Sequence, residues 1–487
     1  MKNNLIIALF SLFGISIIYI VTKPFGVGID SDSASYLEVA SNFLKGKGIT
    51  NFKAEFSNHY PPVFSLVISI ISFLFNINLH ESGRIVSLIS LFFFLFFFNL
   101  ILKKKQYKIQ LVIMLNIILL SSSVLTIFTI LWSETIFFSI LSATAYVILL
   151  WLEDKQTKNL VIIALLFGLM TLTRYAGIAF FGAFAFFLFF LQKSNFKNRF
   201  KNTIIFTITF IFEISIWFIY SKISSGNSTN RDFNFHPIVL YHIKSFIITI
   251  FQWLYPIYSF WGACIIGIIL ILSIIFYKKL KKFLLKCYKD EIETISIYLL
   301  LIITYCIFLI FSVSFFDAQT PYDYRILSPI FPISLLLSAI FIEKTFENKI
   351  IRKFIYIFAL SVIAGTSYNS YKYYIDFYKT GFAYTSEKWQ NSETLKMIPV
   401  TQIKILYSNG SDVVGFYYPD NFDKIFMIPR VYSPNSLLKN INFESEFDKM
   451  KNDIVDKKSV LIFFNRSSSR TYLASKEYIL RNLKGSK

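Results

Sequence analysis

The sequence predicts a polytopic α-helical membrane protein of about eleven transmembrane helices, with a small α/β extracytoplasmic domain at the C-terminal end. Three observations lead there. Of 487 residues, 55% are hydrophobic and only 16% charged, and the mean hydropathy is +0.56. The apolar residues come in unbroken runs such as LISLFFFLFFFNLIL, drawn from 57 phenylalanines, and many approach the roughly 20 residues that cross a bilayer core. The formal charge of +20 is concentrated in short lysine blocks between those runs. A β-barrel would show alternation rather than continuous apolar stretches.

Apolar runs mark spans near 5–22, 84–102, 109–128, 131–151, 159–173, 176–192, 202–221, 260–277, 294–313, 326–342 and 350–368. The first follows MKNN and precedes KPFGVG, which has no small-residue cleavage site, so an uncleaved signal anchor is expected. A further run, PPVFSLVISIISFLFNIN at 61–78, decides the topology. If it spans, the lysines at 103–105 lie outside and every later lysine block inverts. If it lies along the membrane surface, KKKQYK at 103–108, KSNFKNRFK at 193–201 and KKLKKFLLKCYK at 278–289 all fall in the cytoplasm. The positive-inside rule selects the second arrangement. It also accounts for the basic charge through membrane lipids, without nucleic acid. The expected localisation is multi-pass in the cell's inner (plasma) membrane, with the N-terminus cytoplasmic.

The expected division is a membrane domain over 1–368, with an outer loop at 23–83, and an extracytoplasmic domain over 369–487. In the latter, long apolar runs give way to β-like KILYSN and SVLIFF and helix-like SEKWQNSETLKMI and RTYLASKEYILRNL. Cys264, Cys287 and Cys306 have no metal-ligand spacing, and no disulfide framework is supported.

With this topology the out-of-place polar residues gather at the outer boundary of the membrane. Asp30 and Asp32 follow span one, and His59 and Tyr60 precede Pro61-Pro62. Glu81 and Arg84 open span two, Glu134 opens span four, Arg174 sits between spans five and six, and Asp317, Asp323 and Arg325 flank the start of span ten. Ionisable groups at such depth are costly and usually pair, line a wet cavity or serve function. Each has a plainer role: Asp32 as a helix N-cap, the arginines as interfacial anchors, Glu134 as a helix-dipole partner, His59 as a capping or packing residue. Glu213, alone inside span seven, reads equally as structural or functional. Carboxylates and guanidiniums converging at one depth suit an anionic lipid headgroup beside a general base.

The segment D-S-x-S-Y-L-x-x-A-x-x-F-L-x-G-K-G from Asp32 to Gly48 resembles the first outer loop of GT-C membrane glycosyltransferases. The likeness is to glycosyltransferase family 39 and its relatives, which include protein O-mannosyltransferases and aminoarabinose transferases. HYPPVFSLVIS at 59–69, SETIFF from Ser133, GLMTLTRYAGIAF at 168–180 and YRILSPIFP at 324–332 resemble further motifs of that family, in family order, and LYSNGSDVVGFYY at 406–418 recurs in bacterial relatives. The resemblance implies a GT-C-like fold and a polyprenyl-phosphate-linked sugar donor. It further implies inverting transfer to a hydroxyl of a lipid, glycan or protein on the outer face. An aspartate of the first loop would be the base. Asp32 matches that position better than Asp30, which would orient it. His59, Tyr60, Arg84, Glu134, Arg174 and Arg325 would bind substrate. Ser33 stands where many relatives carry a second acid. The metal question stays open: if a divalent ion (Mg or Mn) assists, Asp30 and Asp32 are its ligands. A flippase or ligase of lipid-linked glycans is the competing reading, but a flippase needs charge along a central path, and the span interiors carry almost none.

Overall fold

The structure, a computed structural model, describes residues 2–51, 55–254, 288–345, 349–398, 404–433, 437–455, 459–465 and 472–484. The expected span at 260–277 lies outside the described residues, as do Cys264 and Cys287. Among the described residues, four helices are long and apolar enough to cross a membrane alone: α4 (Leu79–Lys104), α7 (Glu134–Asp154), α10 (Phe196–Ser225) and α12 (Ile292–Phe315). A bent pair, α5 (Ile109–Leu119) and α6 (Ser122–Thr129), turns by 48° at its break. It covers the run expected as one span at 109–128. Shorter apolar helices are α1 (Lys2–Val21), α3 (Val63–Phe75), α8 (Thr157–Thr173) and α9 (Gly177–Phe186).

Helix ends follow local chemistry. Asn78 caps α4, accepting from the Glu81 amide at 2.8 Å, with Glu81 in the first turn and Lys103 and Lys104 in the last, as the helix dipole favours. Gly226, at φ 77°, closes α10 in the left-handed conformation that glycine adopts without strain. Helices α4, α7, α8 and α10 pack in sequence, α1 lies on α4, and α9 lies on α12. The core is a phenylalanine-rich layer that includes Phe94, Phe128, Phe138, Phe167 and Phe184.

The two ends of this bundle differ in kind. At one end lysines, two of them from the block at 103–108, meet carboxylates in exposed or half-exposed pairs: Lys104–Glu153 at 2.6 Å, Lys105–Glu291 at 2.7 Å and Lys155–Glu293 at 3.2 Å. At the other end lies the first loop, with α2 (Ser31–Leu44) packed on α3. Helix α3 buries Phe64 and Ile68 and turns Ile70, Phe73, Leu74 and Phe75 outward, an apolar face suited to lying at an interface.

A short segment enters α11 (Leu240–Leu254), and α13 (Tyr324–Leu327) is one turn that precedes α14 (Ile330–Thr345). Helix α15 (Lys349–Thr380) runs through the expected boundary at 368. The stretch TSYNSYKYYIDFYKT contains no glycine or proline, so the helix stops only before Gly381, at φ 66°. Beyond it, β1 (Ile405–Ser408) is the centre of a three-stranded parallel sheet ordered β2–β1–β3, with β2 at Ile425–Met427 and β3 at Ser459–Ile462. Leu406 stands opposite both Ile425 and Val460. Helix α16 (Ser411–Tyr417) carries this unit onto α2.

Candidate active site

The backbone fixes the paired aspartates before their side chains do. Residues 28–30 run between two other segments. Gly28 bonds to Thr129 and Leu131, and the Ile29 carbonyl accepts from Tyr384 at 2.8 Å. Gly28 must lack a side chain, because a Cβ there would meet Phe382 at 2.9 Å. Asp30 then becomes the N-cap of α2, its Oδ1 accepting from the Ser33 amide at 2.9 Å and the Ser33 hydroxyl at 2.8 Å. Its Oδ2 accepts from the Trp132 indole at 2.6 Å. The capping role thus belongs to Asp30, not to Asp32, because the helix starts one residue after Asp30 and Asp32 already lies in its first turn.

Asp32 therefore points elsewhere. Its Oδ1 accepts from the Tyr60 hydroxyl at 2.7 Å and its Oδ2 meets the Arg325 guanidinium at 2.7 Å. Arg325 also donates through Nε to Glu134 at 2.7 Å, lies 3.8 Å from Asp30 and stacks over Trp132 at 4.5 Å. Asp323 holds this arginine in register by capping α13, accepting from the Arg325 and Ile326 amides at 3.0 Å. Glu134, fully buried at the start of α7, pairs with Arg174 through the same Oε1. Arg174 ends α8 and donates to Ser133 at 3.2 Å, and Ser133 lies 3.1 Å from the Tyr36 hydroxyl. One guanidinium therefore joins three carboxylates, and one carboxylate joins two guanidiniums.

The opposite wall comes from the loop after α10. Asn58 fastens it, donating to Ser221 at 2.8 Å and to the Asn227 carbonyl at 2.8 Å. His59 lies 3.5 Å from the Asn230 carbonyl and edge-on to Tyr60. Arg231 pairs with Asp317, but its Nε is buried without a partner. Asp32, Tyr36, His59, Tyr60, Arg174, Arg231, Asp317 and Arg325 all line one cavity of about 260 Å³.

Electrostatics separates the two aspartates. Burial, and then the charge of Asp32, push the Asp30 carboxyl above its ordinary 3.8. Burial acts on Asp32 as well, but Arg325 and the Tyr60 hydroxyl outweigh it and hold that carboxyl below 3.8. Burial and the nearby Arg231 push the His59 imidazole down, so it is neutral at pH 7.

Of the residues expected to form the site, Asp30, Asp32, His59, Tyr60, Glu134, Arg174 and Arg325 are brought together. Arg84 is not: one turn into α4 it faces α1, donating to Thr22 at 3.0 Å and the Tyr19 carbonyl at 2.9 Å. It joins two helices and does not line the cavity. Glu213 lies over Gly168 on α8, away from the cavity. Sequence reasoning missed Arg231, Trp132, Tyr36 and Ser133. Arg231 carried one signal, an arginine in an outer loop where the charge rule calls for few.

The aspartate pair does not fit a bridging divalent ion as arranged. Both oxygens of Asp30 and both of Asp32 already accept from Ser33, Trp132, Tyr60 or Arg325, and the guanidinium stands where the cation would. Among the described residues no group of three or more His, Cys, Asp or Glu side chains is placed to hold a metal.

Fold and site together define a multi-pass membrane protein with a charged cavity at one end of its helices. The sequence profile of the dolichyl-phosphate-mannose-protein mannosyltransferase family matches residues 59–218. ArnT from Cupriavidus metallidurans, solved bound to undecaprenyl phosphate, has the same fold at a TM-score of 0.56 and 12% identity, over 93% of this chain and 92% of that one. Its apo form matches at 0.56 and 11% identity, over 95% and 93%. No curated protein sequence matches the chain. The profile match is confined to residues 59–218, and the likeness to ArnT is one of fold.

Proposed function

We propose that the protein is an inverting glycosyltransferase that moves a sugar from a polyprenyl-phosphate donor to a hydroxyl of a lipid, glycan or protein at the outer face of the membrane. The observation that carries this reading is the single cavity in which Asp32 faces three guanidiniums. An acceptor hydroxyl takes the position on Asp32 now held by the Tyr60 hydroxyl. As its oxygen bonds to the anomeric carbon from behind, its proton passes to Asp32, and the bond from that carbon to the phosphate oxygen breaks. The electron pair leaves with the lipid phosphate, whose growing charge needs donors already in place. Arg231 and Arg174 are suited to that task, since Arg231 has an unpartnered Nε and Arg174, among the described residues, is shared with Glu134 and Ser133 alone. Arg325 is committed to Asp32 and Glu134, so its role is to hold the base ionised and aimed. Asp30 orients α2 and Trp132. The order of the motifs and the undecaprenyl phosphate bound by the structurally similar ArnT support the donor class.

The test uses purified protein with undecaprenyl-phosphate sugars and measures free undecaprenyl phosphate, a product common to every sugar. Release that depends on an added acceptor is expected, and it should be absent in Asp32→Asn. Acceptor-independent release, or none with any sugar, overturns the reading.

A further inference from the structure

A second cavity of about 360 Å³ lies between α6, the end of α11, α13 and α15. It is separated from the charged cavity by the Trp132–Tyr324 ring contact, at 6.2 Å, and by Arg325 over Trp132. No charged side chain lines it among the described residues. Its walls instead carry hydroxyls, amides and rings.

One of those polar groups is buried with nothing to bond to. The Trp253 side chain is buried and its Nε1 has no hydrogen-bond partner. Among the described residues, the Ser123 hydroxyl, the Gln252 and Asn369 amides and the Tyr324 hydroxyl make no side-chain hydrogen bond either, although all face this space. A buried donor without a partner, as at Trp253, is costly, and the half-buried groups around it are free to bond a ligand in place of water. Tyr373, held by Thr129 at 2.7 Å, adds a third ring beside Trp253 and Tyr324.

Amide and hydroxyl donors and acceptors around aromatic faces, with no charge, match one ligand chemistry closely. We infer that this chamber binds the uncharged sugar ring of a lipid-borne substrate, its hydroxyls bonded to Gln252, Asn369, Ser123 and Trp253 and its C–H face laid on the rings. An amino sugar is disfavoured there, since its ammonium would give up water without gaining a carboxylate. The adjoining space holds Asp323 and Lys244, but Asp323 is spent on capping α13. The inference rests on the proposed transferase reading: because the donor's reacting carbon must lie beside Asp32 in the charged cavity, the ring in this chamber belongs to the acceptor, away from its reacting hydroxyl.

The probes are octyl β-D-glucopyranoside and its 2-amino-2-deoxy analogue, bound to the full chain in nanodiscs and read by saturation-transfer NMR. The glucoside should bind, and the amine about tenfold more weakly. Asn369→Leu and Gln252→Leu should each cost about tenfold in glucoside affinity. Both variants should bind bare undecaprenyl phosphate as the wild type does, which shows that they fold. A neutral undecaprenyl-phosphate hexose should leave the glucoside in place, and its displacing the glucoside would put the donor's sugar here and overturn the assignment to the acceptor. Equal binding of glucoside and amine, or full glucoside affinity in both variants, overturns the inference. The transferase reading fails separately: a protein that binds the glucoside but no undecaprenyl phosphate keeps the chamber and loses the donor.

Discussion

Neutralising Glu134 should destabilise the protein in a way that a lipid phosphate repairs. Glu134 is fully buried and its Oε1 serves both Arg174 and Arg325. In Glu134→Gln, Arg325 keeps Asp32 at 2.7 Å, but Arg174 keeps only the Ser133 hydroxyl at 3.2 Å. Removing one partner of a buried ion pair costs roughly 3–5 kcal/mol. The lower figure applies here because half of the network survives. About 3 kcal/mol is about two factors of ten in the folded-to-unfolded ratio. A bound phosphate would replace the missing charge, and at a hundred times its Kd a ligand adds about 2.7 kcal/mol. Thermal unfolding of wild type and variant in detergent, with and without undecaprenyl phosphate, measures both quantities. The variant should unfold at lower temperature and gain more from the lipid than the wild type does. A variant as stable as wild type without lipid, or one that gains no more from it, refutes the charge accounting.

Asp32→Asn should lower turnover by roughly 10²-fold or more, the scale of a lost general base, with undecaprenyl phosphate binding preserved; Asp30→Asn should lose less, because asparagine still caps α2. Tyr60→Phe removes the hydroxyl that occupies Asp32, so the acceptor KM should fall or hold; a large fall in kcat with KM unchanged would make Tyr60 part of the proton transfer instead. Because Asp32 is held below 3.8, kcat/KM should be level from pH 8 down to about 5, and an acid limb centred near 6 to 7 would contradict Asp32 as the base. In stability the two aspartates oppose each other: the contribution of Asp32 is lost as pH falls through its depressed folded value, and that of Asp30 is lost as pH rises through its raised one. Arg84→Met should weaken the α1–α4 contact and lower the unfolding temperature without changing the KM of the donor.

The sequence was most legible where one physical rule acts alone. Apolar runs such as 84–102 and 294–313 became α4 and α12 because hydrophobicity and length suffice to define such a helix. The site was legible as a set of costly charges at one depth, which brought out Asp32, Glu134, Arg174 and Arg325. Partnership was not. Whether Asp30 or Asp32 caps α2 turns on a shift of two residues in helix start, finer than any composition signal. Arg84 and Arg174 look alike in sequence, and only packing directs one onto α1 and the other onto Glu134. Trp132 and Ser133 carry no charge, so nothing in their composition distinguished them from the core, although both orient charged groups. The extent of α15 past 368 followed from the absence of a breaker before Gly381, a signal that the change in composition at 369 obscured.

The most direct test is a cryo-electron microscopy structure of the full chain with undecaprenyl phosphate bound. The account predicts the phosphate in the cavity between Arg174 and Arg231, within ion-pair reach of both, with Asp32 across the cavity from it and the prenyl chain leading out toward the membrane. Phosphate density beside Arg84, or anywhere that leaves Asp32 beyond reach of the sugar the phosphate would carry, would contradict the claim that one cavity holds both the donor and the base.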